Sequence, residues 1–185
     1  MSAALTLARA EGPNLVLRLI QPGDAAYLHA LRTDAAYNEH LSPVQGTAED
    51  QRRWIEAYTS REAEGREFYY IVERRDGTPC GTVRLYNIRP DGFTWGSWIL
   101  DRNKPRRAAL ESAVLSFGIG FDVLGLDQAD LEVRAANRHA TSFYRRFGMT
   151  EVGGTAQDLF FVYPKARFLA DRPGHLAVLR EADGQ

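Results

Sequence analysis

Four basic side chains, Arg102, Lys104, Arg106 and Arg107, crowd around Pro105 in the stretch WILDRNKPRRAALES, where an apolar strand-like run gives way to a helical pattern. Pro105 suits the first turn of a helix, because the N–H it lacks would have had no partner there. A helix opening on it leaves the backbone N–H groups of Arg106, Arg107, Ala108 and Ala109 without intrahelical acceptors. Those donors, with the positive end of the helix dipole, form an anion site. Cations at a helix N-terminus cost about 0.3–1 kcal/mol each, so two arginines in the first turn are favourable only when an anion joins them. The chemistry implied is polyphosphate binding; the plain alternative is a solvated basic turn. In the preceding strand, Gly96 marks a bulge or the close approach of another backbone, or merely lets Trp95 and Trp98 pack. A second pair lies further on. Asn137 suits a helix N-cap. Tyr144, two turns later on the face of Ala140 and Phe143, is either a catalytic phenol or a core filler with a satisfied hydroxyl.

Other chemistries find no support. The glycines of GIGFDVLG (118–125) have the wrong spacing for a dinucleotide fingerprint and fall late in a helix. His29, His40, His139 and His175 show no paired spacing, so no metal is expected. Neither Ser97 nor Ser112 sits in a nucleophile elbow. Cys80 is the one cysteine, which excludes an internal disulfide framework. A chain of 185 residues with 25% charged residues and a formal net charge of −1 reads as one globular domain with no global pull on nucleic acid. The N-terminal segment lacks the pattern of a signal peptide, and no apolar run is long enough to span a bilayer, so a cytoplasmic location without membrane association is expected.

The elements that must position these residues alternate in type. NLVLRLI (14–20) reads as a strand, followed by a helix over about 24–34. Thr47 and Asp50 form the capping pattern of a second helix carrying Trp54, Ile55 and Tyr58. Three strands follow from Glu67 to Leu100, joined at Asp76-Gly77 and at Pro90-Asp91-Gly92. After the basic segment comes a helix apolar nearly all round, then the alternating strand QADLEVR. A one-sided helix follows, with Ala140, Phe143, Tyr144 and Phe147 on one face, and then a final strand pair. The expected class is α+β, a mixed sheet with helices on both faces. The tail from 168 reads as an added helix or a loose end.

With that order of elements, WGSWILDRNKPRRAALES, LEVRAANRHATSFYRRFGM and VGG resemble the GCN5-related N-acetyltransferase (GNAT) superfamily over residues 14–167. Residues 1–13 are then an N-terminal extension and 168–185 a C-terminal tail. The most specific match is Asn137, Ala140, Tyr144 and Gly148-Met149 at the family's spacing. The Trp-containing second helix is similar to the branch acting on ribosomal-protein N-termini and amino sugars. The resemblance implies a mostly antiparallel seven-stranded sheet splayed between its fourth and fifth strands. It implies acetyl-CoA as co-substrate, with Trp98, Ile99 and Leu100 along the pantetheine arm and Asn137 opposite. Arg102 and Arg106 to Ala109 would hold the pyrophosphate, and Tyr144 would protonate the departing thiolate. A phenol of pKa near 10 is protonated at pH 7 yet acidic enough to hydrogen-bond a thiolate. In the pyrophosphate loop Arg102-x-x-Pro105-x-Arg107 keeps the family's first residue and lacks both glycines.

The resemblance thus implies an acyl-CoA-dependent N-acetyltransferase working by direct attack of a primary amine. A lone cysteine outside any motif makes an acyl-enzyme hard to build, which agrees with direct transfer. The acceptor side offers Glu39, His40, Ser97 and Asp158 as candidates for substrate or base. An amino sugar, free or nucleotide-linked, is favoured slightly, because Phe68, Tyr69, Tyr70, Trp95 and Trp98 could form a stacking wall or else fill the core. A protein N-terminus and a non-catalytic module binding acyl-CoA or a sugar nucleotide are the alternatives. The chain is expected as a monomer or homodimer.

Overall fold

The structure, a computed structural model, describes residues 4–181; residues 1–3 of the extension and 182–185 of the tail lie outside the described residues. Eight strands form one sheet. In chain order they are β1 (Arg9–Glu11), β2 (Leu15–Leu19), β3 (Phe68–Arg74), β4 (Pro79–Arg89), β5 (Gly92–Leu100), β6 (Gln128–Arg134), β7 (Thr150–Gly154) and β8 (Asp158–Pro164). Across the sheet they run β1-β2-β3-β4-β5-β6-β8-β7. Only β5 and β6 are parallel. The eighth strand is β1, which folds the expected extension back onto β2 and pairs Arg9 with Arg18. It escapes sequence reading because its three residues, Arg-Ala-Glu, are too few for an alternation to register.

The hairpin signals act where the sequence places them. Gly77 takes the left-handed conformation (φ 85°) that the β3–β4 turn requires, and the Thr78 N–H donates to Asp76 Oδ1 at 3.0 Å. The helices α1 (Ala25–Thr33) and α2 (Ala48–Ala63) cover one face of the sheet. There Leu28, Ile55 and Tyr58 bury Tyr69 and Ile71. The capping box at Thr47 and Asp50 is formed; such caps stabilise a helix by about 1 kcal/mol. On the other face α3 (Ala108–Gly118), α4 (Arg138–Phe147) and α5 (Lys165–Glu181) enclose the larger core around Trp95, Phe117, Phe121 and Tyr163. The tail contributes to this core, since Phe168 of α5 is fully buried between Phe117, Phe121 and Tyr163. No helix of the described residues is long and apolar enough to cross a membrane.

Strand divergence is the feature that matters for function. The β5–β6 register covers Gly92, Phe93 and Thr94 only. Beyond it β6 stays with β8 through Arg134, while β5 stays with β4 through Leu100. The pairing of β4 with β5 shifts between Thr82 and Arg84, and opposite that shift Ser97 sits at φ 47°. A bulge with a left-handed residue twists a strand sharply, so β5 turns away from β6 at this point. From Trp95 to Leu100 the outer edge of β5 faces no strand among the described residues. A single sheet is thus opened into a V in its middle.

Candidate active site

The V has an apolar floor built from two strands and two helices. Trp95 stacks on Phe117 with ring centroids 4.9 Å apart, and Trp98 packs against Phe143 at 5.0 Å. Two hydroxyls orient these indoles: Trp95 Nε1 donates to Ser116 Oγ at 2.9 Å and Trp98 Nε1 to Ser112 Oγ at 3.1 Å. Their role was missed, although two serines four residues apart in an otherwise apolar helix signal buried donors needing acceptors. Tyr144 leans on this pair, 6.0 Å from Trp95 and 6.1 Å from Trp98. Its ring is nearly buried (6% exposed), and its hydroxyl donates to no group among the described residues. Burial pushes its pKa well above the ordinary phenol value, with the nearby Tyr86 phenol adding to the effect. Tyr144 therefore keeps its proton at neutral pH, and its O–H has no protein partner among the described residues.

Asn137 caps α4, its side-chain oxygen accepting from the Ala140 N–H at 3.2 Å. Across the opening lie Trp98, Ile99 and Leu100, on the unpaired stretch of β5. The basic loop departs from expectation in a specific way. The helix begins at Ala108 rather than at Pro105, and Arg107 is its N-cap with φ 62°. The Ala108 N–H is already used, bonded to the carbonyl of Pro105 at 3.2 Å. The N–H groups without acceptors among the described residues are those of Arg106, Arg107, Ala109 and Leu110. The physical reason is the left-handed Arg107, which interrupts helical geometry one residue before α3. A side chain in that conformation is strained by roughly 1–2 kcal/mol relative to glycine. The Arg107 guanidinium points away from the loop and donates to the Val178 carbonyl of α5. Arg102, Lys104 and Arg106 are exposed.

The loop is propped from the acceptor side. Asp101 is buried and accepts from Tyr27 of α1 at 2.7 Å and from the Asn103 N–H at 2.7 Å, and the Arg102 N–H donates to the Tyr37 hydroxyl at 2.9 Å. An unpaired strand edge, a cluster of free backbone donors at a helix start and a phenol with no protein partner among the described residues fit an extended amide-bearing thioester ending in phosphates.

The acceptor-side candidates scatter. Ser97 lies at the bulge, its carbonyl accepting from Thr82 Oγ1 at 2.8 Å. Glu39 and His40 sit 3.7 Å apart on the α1–α2 connection, with the Glu39 side chain 82% exposed. Asp158, at the far end of β8, pairs with Arg134 at 3.1 Å. The stacking wall does not exist: Phe68, Tyr69, Tyr70 and Trp95 are all within 3% of full burial and belong to the cores. Tyr86 is the aromatic beside the vertex instead; a Cβ at Gly96 would lie 3.2 Å from its ring and hydroxyl, so any side chain there would have to push the Tyr86 ring aside.

Comparison with known proteins gives this geometry its class. Residues 14–150 match the acetyltransferase (GNAT) domain, and the chain belongs to that family: it is an acyl-CoA-dependent N-acetyltransferase. Among solved structures it is similar to FdhC, described as a nucleotide-linked sugar GNAT, with a TM-score of 0.82 and 34% identity over 88% of this chain and 93% of that one. A spermidine N-acetyltransferase from Vibrio cholerae, solved with CoA and spermine, shares the fold at a TM-score of 0.74 and 18% identity, over 85% and 99% of the two chains. The uncharacterized SPbeta prophage-derived N-acetyltransferase YokL of Bacillus subtilis is 20% identical over 80% of this chain and 83% of its own.

Proposed function

We propose that the enzyme acetylates the primary amine of an amino sugar carried on a nucleotide. The observation that carries this reading is the 34% identity to the nucleotide-linked sugar acetyltransferase over nearly the whole of both chains. The polyamine enzymes and the ribosomal-protein-S5-alanine acetyltransferase of Vibrio fischeri, at 15% identity, share no more than the fold.

In this reading the open edge of β5 at Trp98, Ile99 and Leu100 aligns the amide-bearing arm of acetyl-CoA as a false strand. Asn137, at the start of α4, faces it from the other arm of the V. The backbone donors at Arg106, Arg107, Ala109 and Leu110 hold the pyrophosphate, with the exposed Arg106 adding charge. The neutral amine attacks the thioester carbonyl, the C–N bond forms and the C–S bond breaks. Tyr144 gives its proton to the departing sulfur, a contribution of about 10²–10⁴-fold, and takes one back from solvent as the products leave. The proton shed by the amine leaves through the acceptor side past Ser97. The test is thiol release from acetyl-CoA in the presence of a thymidine-diphosphate amino sugar, a uridine-diphosphate amino sugar, spermidine and an alanine-terminated peptide. Turnover of a nucleotide-linked sugar at least tenfold above the other amines is expected. Preferred turnover of spermidine or the peptide would overturn the reading.

A further inference from the structure

A groove of about 330 Å³ opens where α2 ends, lined by Arg61, Arg66, Glu67, Arg84, Tyr86 and Asn87. We propose that it binds the diphosphate of the acceptor's nucleotide; this rests on the nucleotide-linked amino sugar reading above.

The charge balance of the groove is the first argument. Glu67, 4% exposed, accepts from Arg61 Nε and from Arg84, whose Nε lies 2.8 Å away. One carboxylate faces two guanidiniums, and the third, Arg66, bonds Glu64 outside the groove through its Nε. These pairs consume the Nε positions and one terminal nitrogen of Arg84. The remaining Arg84 nitrogen and the terminal nitrogens of Arg61 and Arg66 donate to nothing among the described residues. Guanidinium forks with spare, parallel donors match phosphate oxygens.

Rigidity is the second argument. Trp54 lies against both guanidiniums, 5.3 Å from Arg61 and 5.4 Å from Arg84, and Tyr86 supports Arg84 at 4.6 Å. Arginines held this way lose little further freedom when an anion arrives.

Position is the third. Tyr86 belongs to the groove, and its hydroxyl also covers Gly96 at the mouth of the V. In a nucleoside-diphosphate sugar the sugar is bonded directly to the diphosphate. With the sugar's amine at the vertex, the diphosphate falls in the adjoining space on the α2 side. A polyamine in that place would set its ammonium groups against three guanidiniums that outnumber their paired carboxylates, Glu64 and Glu67.

The experiment is calorimetric titration of the whole protein with thymidine diphosphate and with uridine diphosphate, beside a titration with acetyl-CoA. It uses the wild type, Arg66→Gln and Arg84→Lys. The lysine keeps a cation on the buried Glu67, and Arg66 is exposed, so each variant can be checked for folding by its acetyl-CoA affinity. The expected result is that one of the two diphosphates binds the wild type and binds each variant roughly 10- to 100-fold more weakly, as loss of a charge-assisted hydrogen bond implies, with acetyl-CoA unaffected. Equal diphosphate binding by wild type and variants would overturn the groove assignment while leaving a nucleotide-linked acceptor standing. No binding of either diphosphate, with free amino sugars turned over, would overturn both.

Discussion

Replacing Tyr144 by phenylalanine isolates one proton. The hydroxyl bonds nothing among the described residues, while its ring packs edge-on to Trp95 and Phe161 at 6.0 and 5.5 Å. Phenylalanine keeps the ring contacts and breaks no hydrogen bond, so the stability change should stay within about 0.5 kcal/mol. Acetyl-CoA affinity should be unaltered within about twofold, because in the proposed mode pyrophosphate and arm are held by other residues. If Tyr144 is the proposed proton donor, kcat should fall by about 10²–10⁴-fold, or roughly 2.7–5.5 kcal/mol of transition-state stabilisation. The pH profile carries a further signature. Burial raises the phenol's pKa, so the required protonated form persists far above neutrality. The wild-type rate should therefore rise as the amine deprotonates and show no fall by about pH 10, the ordinary phenol value. Thiol release would be followed colorimetrically, with thermal unfolding and calorimetry in parallel. Wild-type kcat in the variant would refute the acid assignment. A loss of kcat accompanied by a large fall in Tm would refute the claim that this hydroxyl carries no structural load.

Other outcomes follow from the same geometry. Cys80 is fully buried and its thiol is pushed up to about 12, chiefly by burial and then by Asp101, so a thiol reagent should label it only after unfolding and leave the assay without background. Arg106→Glu should weaken acetyl-CoA roughly tenfold by titration, whereas Arg107→Gly should change it less than about threefold, since that guanidinium serves α5. The glycine also relieves a left-handed arginine, which offsets the lost bond to Val178 to within about 1 kcal/mol in thermal unfolding. Ser112→Ala strands the Trp98 N–H and should cost about 1–2 kcal/mol by denaturant unfolding, with a lower kcat as Trp98 shifts beneath Tyr144. Burial would raise the pKa of Glu67, but the hydrogen bonds from Arg61 and Arg84 outweigh it and hold the carboxyl below its usual 4.5. A depressed carboxylate stabilises the fold above that usual value, and the contribution is lost as pH falls through the folded one. Glu67→Gln should accordingly flatten the decline of Tm below about pH 4.5.

Periodicity made most of this fold readable. Alternation located β6 to the residue, the spacing of Ala140, Tyr144 and Phe147 located α4, and Asp76-Gly77 located a hairpin. These signals are local, and the structure leaves them undisturbed. What stayed hidden depends on distance along the chain. Arg61 of α2 and Arg84 of β4 meet on Glu67 only in the folded chain, so no local pattern marks them. Arg107 reads as a phosphate ligand until α5, 71 positions on, claims its side chain. The start of α3 was misplaced because propensity gives no reason for an arginine at φ 62°.

That arginine sits where the resemblance would put glycine, in a loop held by Tyr27 at the Asp101 carboxylate and by Tyr37 at the Arg102 N–H. The shape that a glycine fingerprint would write into six consecutive letters is here spread over three separate parts of the chain. A scan for the fingerprint passes over such a loop. Two phenol hydroxyls, some seventy positions upstream, are where its grammar has to be read.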